Sequence, residues 1–217
     1  MVHAEEFNST DFNRKPIRLA VLASGSGSNF EALVNYCRNQ KESIATVSRL
    51  VINNPGCGAQ KRADLLKVPS RLINHRDYST REQFDQAVAD LLKTDKIDLV
   101  IMAGWMRIVT ASLINNIPCG CLINIHPSLL PAFKGANAIA DALAAGAIKS
   151  GCSIHEVVLD VDSGPLLAQA EVNIEENDTV ESLHLKIQKQ EHLLLPPIVI
   201  AKARQLGAIN EELLGVN

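Results

Sequence analysis

The sequence predicts an α/β protein, with a three-layer, Rossmann-like, doubly wound and mostly parallel sheet and an antiparallel strand pair near the C-terminus. Three observations lead there. Short, nearly continuous apolar runs at Ile17–Ala23, 47–52 and 98–103 suit strands buried on both faces. Between them lie stretches whose apolar residues recur at helical spacing, the alternation expected of an α/β fold. Later, 152–159 and 166–172 read as strands joined only by Asp160-Val161-Asp162-Ser163-Gly164-Pro165. A connection of about six residues suits antiparallel neighbours rather than a crossover.

Taken in order, Ile17–Ala23 opens the core and breaks into Ser24-Gly25-Ser26-Gly27-Ser28. Residues 29–38 are helical, because Phe30, Leu33, Val34 and Cys37 fall on one face. The run 47–52 is stopped by Asn53-Asn54-Pro55-Gly56. Residues 60–66 form a short helix, 71–74 a short strand, and 80–93 a longer helix with Phe84, Val88, Leu91 and Leu92 inward. The run 98–103 ends at Gly104-Trp105, 110–115 is a brief helix, and 121–125 is a strand running into His126-Pro127. Residues 137–147 form an alanine-rich helix. Helical spacing then spans 179–203, and Pro196-Pro197 should kink or break it, because proline disrupts the turn before it.

A chain of 217 residues, 47% hydrophobic and 21% charged, has the composition of an ordinary globular protein. At this size folding buries about 70% of the surface of the unfolded chain, so no disulfide or metal staple is needed. The formal charge of -3 argues against a nucleic-acid surface and leaves room for a local cationic pocket. The five cysteines, Cys37, Cys57, Cys119, Cys121 and Cys152, lack the spacing of a disulfide framework. Cys119 and Cys121 are too close for a zinc knuckle and read as small residues entering a buried strand; no metal is expected. Residues 1–16 are polar with both charge signs and read as a flexible extension before a single domain at 17–217. They resemble neither a signal peptide nor a transit peptide, and no apolar run approaches the roughly 20 residues of a membrane span. A cytoplasmic location is the expectation.

Two places carry chemistry. In the first, Ser24-Gly25-Ser26-Gly27-Ser28-Asn29 lies between a strand and a helix, where glycines allow close backbone approach and free N–H groups attract an anion. It lacks the lysine of a Walker loop, and Phe30 stands where a dinucleotide fingerprint has its third glycine. A single phosphomonoester suits it better than a nucleotide, although the same string also reads as a tight turn with no ligand. In the second, Asn124 and His126 alternate to one side of a strand end, and Pro127 marks that end. Open α/β sheets bind ligands beyond the carboxyl ends of their strands. An amide and an imidazole facing one space suit oxyanion stabilisation beside a proton donor. Asp162 occupies a common solvated turn; brought next to His126, its charge would favour the imidazolium.

Three strings together carry a resemblance. Gly104-Trp105-Met106-Arg107-Ile108, Leu122-Ile123-Asn124-Ile125-His126-Pro127-Ser128-Leu129-Leu130-Pro131 and Asp160-Val161-Asp162-Ser163-Gly164-Pro165 resemble the folate-dependent formyltransferases in order and separation. The likeness spans residues 17–203. The glycine loop and Gln190-Glu191-His192 resemble the branch of that family whose acceptor is 5-phosphoribosylglycinamide. The resemblance implies the formyltransferase fold. It also implies transfer of a formyl group from 10-formyltetrahydrofolate, as co-substrate, to the glycinamide amine in purine biosynthesis. By the same likeness Asn124, His126 and Asp162 are catalytic. Arg81, Met106, Arg107, Ile108 and Val109, with Asn124, line the folate pocket, and Gly27, Ser28, Asn29 and Glu191 hold the acceptor.

Read without the family, Glu191 is a solvated helix face, Arg81 an exposed first-turn residue, and Met106 to Val109 ordinary packing. One departure stands out: Asn137 takes the place where many members carry a histidine, and an amide cannot bear charge. Expected partners are small molecules, with no nucleic acid or membrane, and the chain is a monomer or homodimer. Among rivals, the methionyl-tRNA branch calls for a further C-terminal domain and a basic surface, and the hydrolase branch for an N-terminal regulatory domain. Neither is expected in an acidic chain of this length.

Overall fold

The structure, a computed structural model, describes residues 15–42 and 44–214. The expected flexible extension at 1–16 therefore lies outside the described residues, save for Lys15 and Pro16. The described chain forms seven strands: β1 Ile17–Ala23, β2 Ala45–Ile52, β3 Ser70–Leu72, β4 Leu99–Ala103, β5 Leu122–His126, β6 Lys149–Glu156 and β7 Leu166–Asn173. Its six α-helices are α1 Ser28–Arg38, α2 Gly58–Leu66, α3 Arg81–Thr94, α4 Ala111–Ile114, α5 Ala138–Ala144 and α6 Val180–Leu214. None of the described helices is long and apolar enough to cross a membrane.

The strands make one sheet in the order β3-β2-β1-β4-β5-β6-β7. β1 to β5 are mutually parallel. β6 runs antiparallel to both of its neighbours, so β7 again points along β1 and a single strand is reversed. Side chains alternate across each strand and feed two cores. Leu19, Val21 and Ala23 of β1 pack with Phe30, Leu33 and Val34 of α1 and with Leu183, Ile187, Leu195 and Val199 of α6. On the opposite face Ala20 and Leu22 pack with Phe84, Val88 and Leu92 of α3 and Leu113 of α4. The chain winds outward from β1 in one direction and from β4 in the other. The crevice between their carboxyl ends is the topological switch point where open α/β sheets take ligands.

The expected elements are present, with differences at their edges that have local causes. The 137–147 helix closes early, after Ala144, because Gly146 turns left-handed at φ 64 and its N–H bonds back to Leu143. β6 begins at Lys149, three residues before the expected start, and stops at Glu156. Glu156 there donates its N–H to the Pro165 carbonyl, which lengthens the connection to β7 to residues 157–165. β3 stops at Leu72 because Asn74 instead caps a 3-10 turn at His75–Asp77.

Of the kink or break expected at Pro196-Pro197, the break does not occur: α6 runs through both prolines to Leu214. Each proline removes an N–H and costs about 3 kcal/mol in a helix interior. Against that stand five large aliphatic side chains of the same helix, Leu183, Ile187, Leu195, Val199 and Ile200, all buried against the sheet. At about 1.5–3 kcal/mol each, their burial outweighs the loss.

Replacing Ile187 by alanine should therefore lower unfolding free energy by about 2–5 kcal/mol. Leu193→Ala, on the exposed face at 70% accessibility, should stay within about 0.5 kcal/mol. Urea unfolding followed by circular dichroism separates the two.

Candidate active site

β5 has the sequence Leu122-Ile123-Asn124-Ile125-His126. Ile123 and Ile125 face the core beneath α1 and α6, and Leu122 faces the α3 side. Alternation puts Asn124 and His126 on that α3 side too. Because β6 is antiparallel, its register sets His155 directly opposite Asn124. The Asn124 Nδ2 lies 3.1 Å from His155 Nε2. His155 Nδ1 lies 2.8 Å from the carbonyl of Glu156, which can only accept, so Nδ1 carries a proton.

The connection after β6 leaves from the far edge of the sheet and doubles back over this face. Val157 N–H bonds to the Leu122 carbonyl at 2.9 Å and its side chain joins the α3-side core. At Gly164 a Cβ would lie 1.8 Å from the Glu156 carbonyl oxygen, so the loop can lie this close only with glycine there. Asp162 adopts a left-handed φ of 49°, uncommon for a residue with a side chain. Its carboxylate reaches both histidines: Oδ2 is 3.4 Å from His126 Nδ1, and Oδ1 is 3.5 Å from His155 Nε2.

A third segment closes the cluster. His126 Nε2–H donates to the Phe133 carbonyl at 2.8 Å, and Gly135 N–H donates to Asp162 Oδ2 at 2.8 Å. Lys134 Nζ donates to Ser163 Oγ at 2.6 Å. Both nitrogens of His126 thus face oxygen acceptors. Burial alone would raise the Asp162 carboxyl. The His155 hydrogen bond, the Gly135 N–H and the two neighbouring imidazoles outweigh it and hold the group below the ordinary carboxylate value.

At the end of β1, Gly27 caps α1 with φ 76°, and Ser28 Oγ accepts from Gln188 Nε2 at 3.0 Å. Asn29 Nδ2 donates to Glu191 Oε2 at 2.7 Å, and both residues are buried. The Asn29 Oδ1 is buried with no partner among the described residues. Burial raises the Glu191 carboxyl above its ordinary value, with Asn29 and His184 opposing only in part.

At the end of β4, Trp105 stacks on Phe84 with centroids 5.9 Å apart, and the Arg107 guanidinium lies 5.6 Å over the same ring. Thr110 N–H donates to the buried Asp85 carboxylate, which fixes this wall to α3. Met106 and Ile108 remain 69% and 57% exposed, and Val109 is buried. Ser24 ties this wall to the glycine loop: its N–H bonds to the Gly104 carbonyl, and its Oγ accepts from Met106 N–H, both at 2.9 Å.

Residues 17–199 match the model of the formyl transferase family. The chain belongs to that family. As a formyl transferase it is 35% identical to the phosphoribosylglycinamide formyltransferase of Bacillus subtilis (strain 168), over 92% of this chain and 96% of that one. It is 38% identical to the trifunctional purine biosynthetic protein adenosine-3 of Homo sapiens across 92% of its own length, but spans only 20% of that protein. Among solved structures, glycinamide ribonucleotide transformylase 1 from Symbiobacterium toebii superposes with a TM-score of 0.85 at 35% identity, covering 91% of this chain and 94% of that one.

Of the residues singled out in this formyl transferase by sequence, the structure brings Asn124, His126 and Asp162 into one cluster, and Gly27, Ser28, Asn29 and Glu191 into another. Met106, Arg107, Ile108 and Val109 lie in the segment that follows β4, the strand between β1 and β5. Arg81 is exposed on the first turn of α3, and Asn137 is exposed where α5 begins. His155 and Gln188 were missed. The only signal for His155 was one imidazole within the strand expected at 152–159, and for Gln188 its place one turn before Glu191.

Glu191 gives a pH test. Its native carboxyl is raised, so its contribution to stability is full below the unfolded value of about 4.3 and is lost as pH climbs through the raised native value. Glu191→Gln, whose amide oxygen still accepts from Asn29, should therefore be more stable than wild type at neutral pH, with the gain vanishing toward pH 4. Thermal melts across that range decide it.

Proposed function

We propose that the chain transfers a formyl group from 10-formyltetrahydrofolate to the amine of 5-phosphoribosylglycinamide, a step of purine biosynthesis. One observation carries the reading of its chemistry: the Asp162 carboxylate, far along the chain, lies against His126 and His155 beside Asn124. Support for the acceptor comes from the glycine loop at the start of α1, whose N–H groups suit a phosphate. The buried Glu191–Asn29 pair beside it suits the ribose and glycinamide end. The exposed apolar side chains of Met106 and Ile108 suit one face of the folate ring system, with Arg107, Val109 and Arg81 around it.

In this reading the neutral acceptor amine attacks the formyl carbon held on N10 of the folate. A carbon–nitrogen bond forms, and the formyl oxygen takes up negative charge. The Asn124 amide donates to that oxyanion, and His126 joins it once its Nε2–H exchanges the Phe133 carbonyl for substrate. The bond from carbon to N10 then breaks, N10 takes a proton, and the amine loses one, so the proton count balances. His126 assists the proton transfer to N10. Asp162, 3.4 Å from His126 and 3.5 Å from His155, holds the His126 ring in place and orders a water that relays protons. The Asn124 amide is in turn oriented by His155, whose Nε2 lies 3.1 Å from it.

Asn124→Ala and His126→Ala should each lower turnover by about 10²–10³-fold, the usual loss for one oxyanion donor, with the circular dichroism spectrum unchanged. The readout is the folate absorbance in a mixture of 10-formyltetrahydrofolate and 5-phosphoribosylglycinamide. A change that requires the acceptor supports transfer. A change without acceptor would make the chain a hydrolase, and none at all a binding module. Near-normal turnover in either variant removes that side chain from the chemistry.

Gly164→Ala offers a separate check on the loop. The added methyl collides with the Glu156 carbonyl and must displace Asp162 without altering any catalytic side chain. Turnover should fall about tenfold or more, since small misplacements of catalytic groups are costly. Full activity would show that the position of the loop is immaterial.

A further inference from the structure

The glycine loop is shaped by α2 as much as by its own sequence. Ala59 N–H donates to the Gly25 carbonyl at 2.9 Å, and Arg62 Nε–H donates to the Ser26 carbonyl at 3.0 Å. In a planar trans peptide the carbonyl and the N–H that succeeds it point in opposite directions. Turning these two carbonyls toward α2 therefore turns the N–H groups of Ser26 and Gly27 away from it. Gly27, left-handed at φ 76°, leads into the first turn of α1, whose N–H groups have no intrahelical partner. Successive N–H groups aimed to one side form a concavity for an anion.

The contact between loop and α2 is close on both sides. A Cβ on Gly27 would lie 2.6 Å from the Ala59 Cα, and one on Gly58 would lie 2.9 Å from the Ser26 carbonyl oxygen. Arg62 is itself fixed, because its Nη1 pairs with Glu31 on α1. The guanidinium thus spans the loop carbonyl and the helix that the loop starts with a fixed fork of donors, a rigidity that a single ammonium lacks. We propose, resting on the reading of this loop as the phosphate site, that Arg62 is a positioning residue for acceptor binding: by holding the Ser26 carbonyl, it aims the Gly27 N–H at the phosphate. Glu31 holds the guanidinium in that pose. Neither side chain touches the reacting atoms.

The test separates the phosphate end from the chemistry. Ribose 5-phosphate binding is measured by calorimetry, and steady-state constants are measured for both substrates. Arg62→Ala should raise the KM for the phosphorylated acceptor and the Kd for ribose 5-phosphate about tenfold, the loss typical of one hydrogen bond from a charged group. The kcat and the folate KM should stay within about twofold, and Arg62→Lys should fall between wild type and Arg62→Ala. If Arg62→Ala does not fold, Glu31→Gln should show the same split at about two- to threefold, since it loosens the guanidinium without touching the loop. Unchanged acceptor KM and ribose 5-phosphate affinity in the folded variants, or an equal loss in kcat and both KM values, overturns the proposal. A wild-type chain that forms no product yet binds ribose 5-phosphate in an Arg62-dependent manner would sink the transferase reading and leave the role of Arg62 standing.

Discussion

The Asp162 carboxylate fastens its own loop to β5, to β6 and to the segment that follows β5. It accepts from the Gly135 N–H and lies against the imidazoles of His126 and His155, which sit on two different strands. A half-buried charge is tolerable only because every direction it faces supplies a donor or a positive partner. The arrangement is interlocked in consequence. The left-handed backbone at Asp162, the close approach at Gly164 and the Phe133 carbonyl on His126 each fix what the others need.

The reversed direction of β6 makes this possible. Had β6 run parallel to β5, its chain would have emerged at the carboxyl edge of the sheet with no reason to fold back across its face. Running antiparallel, it delivers the loop at the opposite edge, and the path to β7 lies over the side chains of Asn124, His126 and His155. Meanwhile the parallel part of the sheet does what doubly wound folds do, bringing the ends of β1, β4 and β5 side by side at the switch point. One reversed strand thus adds a covered proton-handling corner to an open ligand crevice.

Much of this was legible in the sequence. The buried strands at Ile17–Ala23 and 98–103 lack alternation because helices cover both of their faces, and continuous apolar runs report that directly. The strand-end pair Asn124 and His126 stood out as polar residues where a parallel strand should be apolar. His155 did not, since nothing local says that β6 lies beside β5 in reverse. The partnership of Asp162 with His126 also depends on tertiary geometry, and only likeness to a family pointed to it. At Pro196-Pro197 local propensity gave way to packing, because the burial that holds α6 on the sheet is invisible in a window of a few residues. The start of β6 was missed for a similar reason: Lys149, Ser150 and Gly151 are strand residues because β7 pairs with them, not because of their own preference.

The hydrogen bond between Asn29 and Glu191 joins residues 162 positions apart in the chain. Contacts of such high sequence separation carry a large loop-closure cost and form late. A chain emerging from the ribosome can close its glycine turn early but must wait for its last helix before that pocket has a floor. Ligand affinity is then a reporter of complete folding, and mutations that loosen the docking of α6 should be partly rescued by the very molecule the pocket receives.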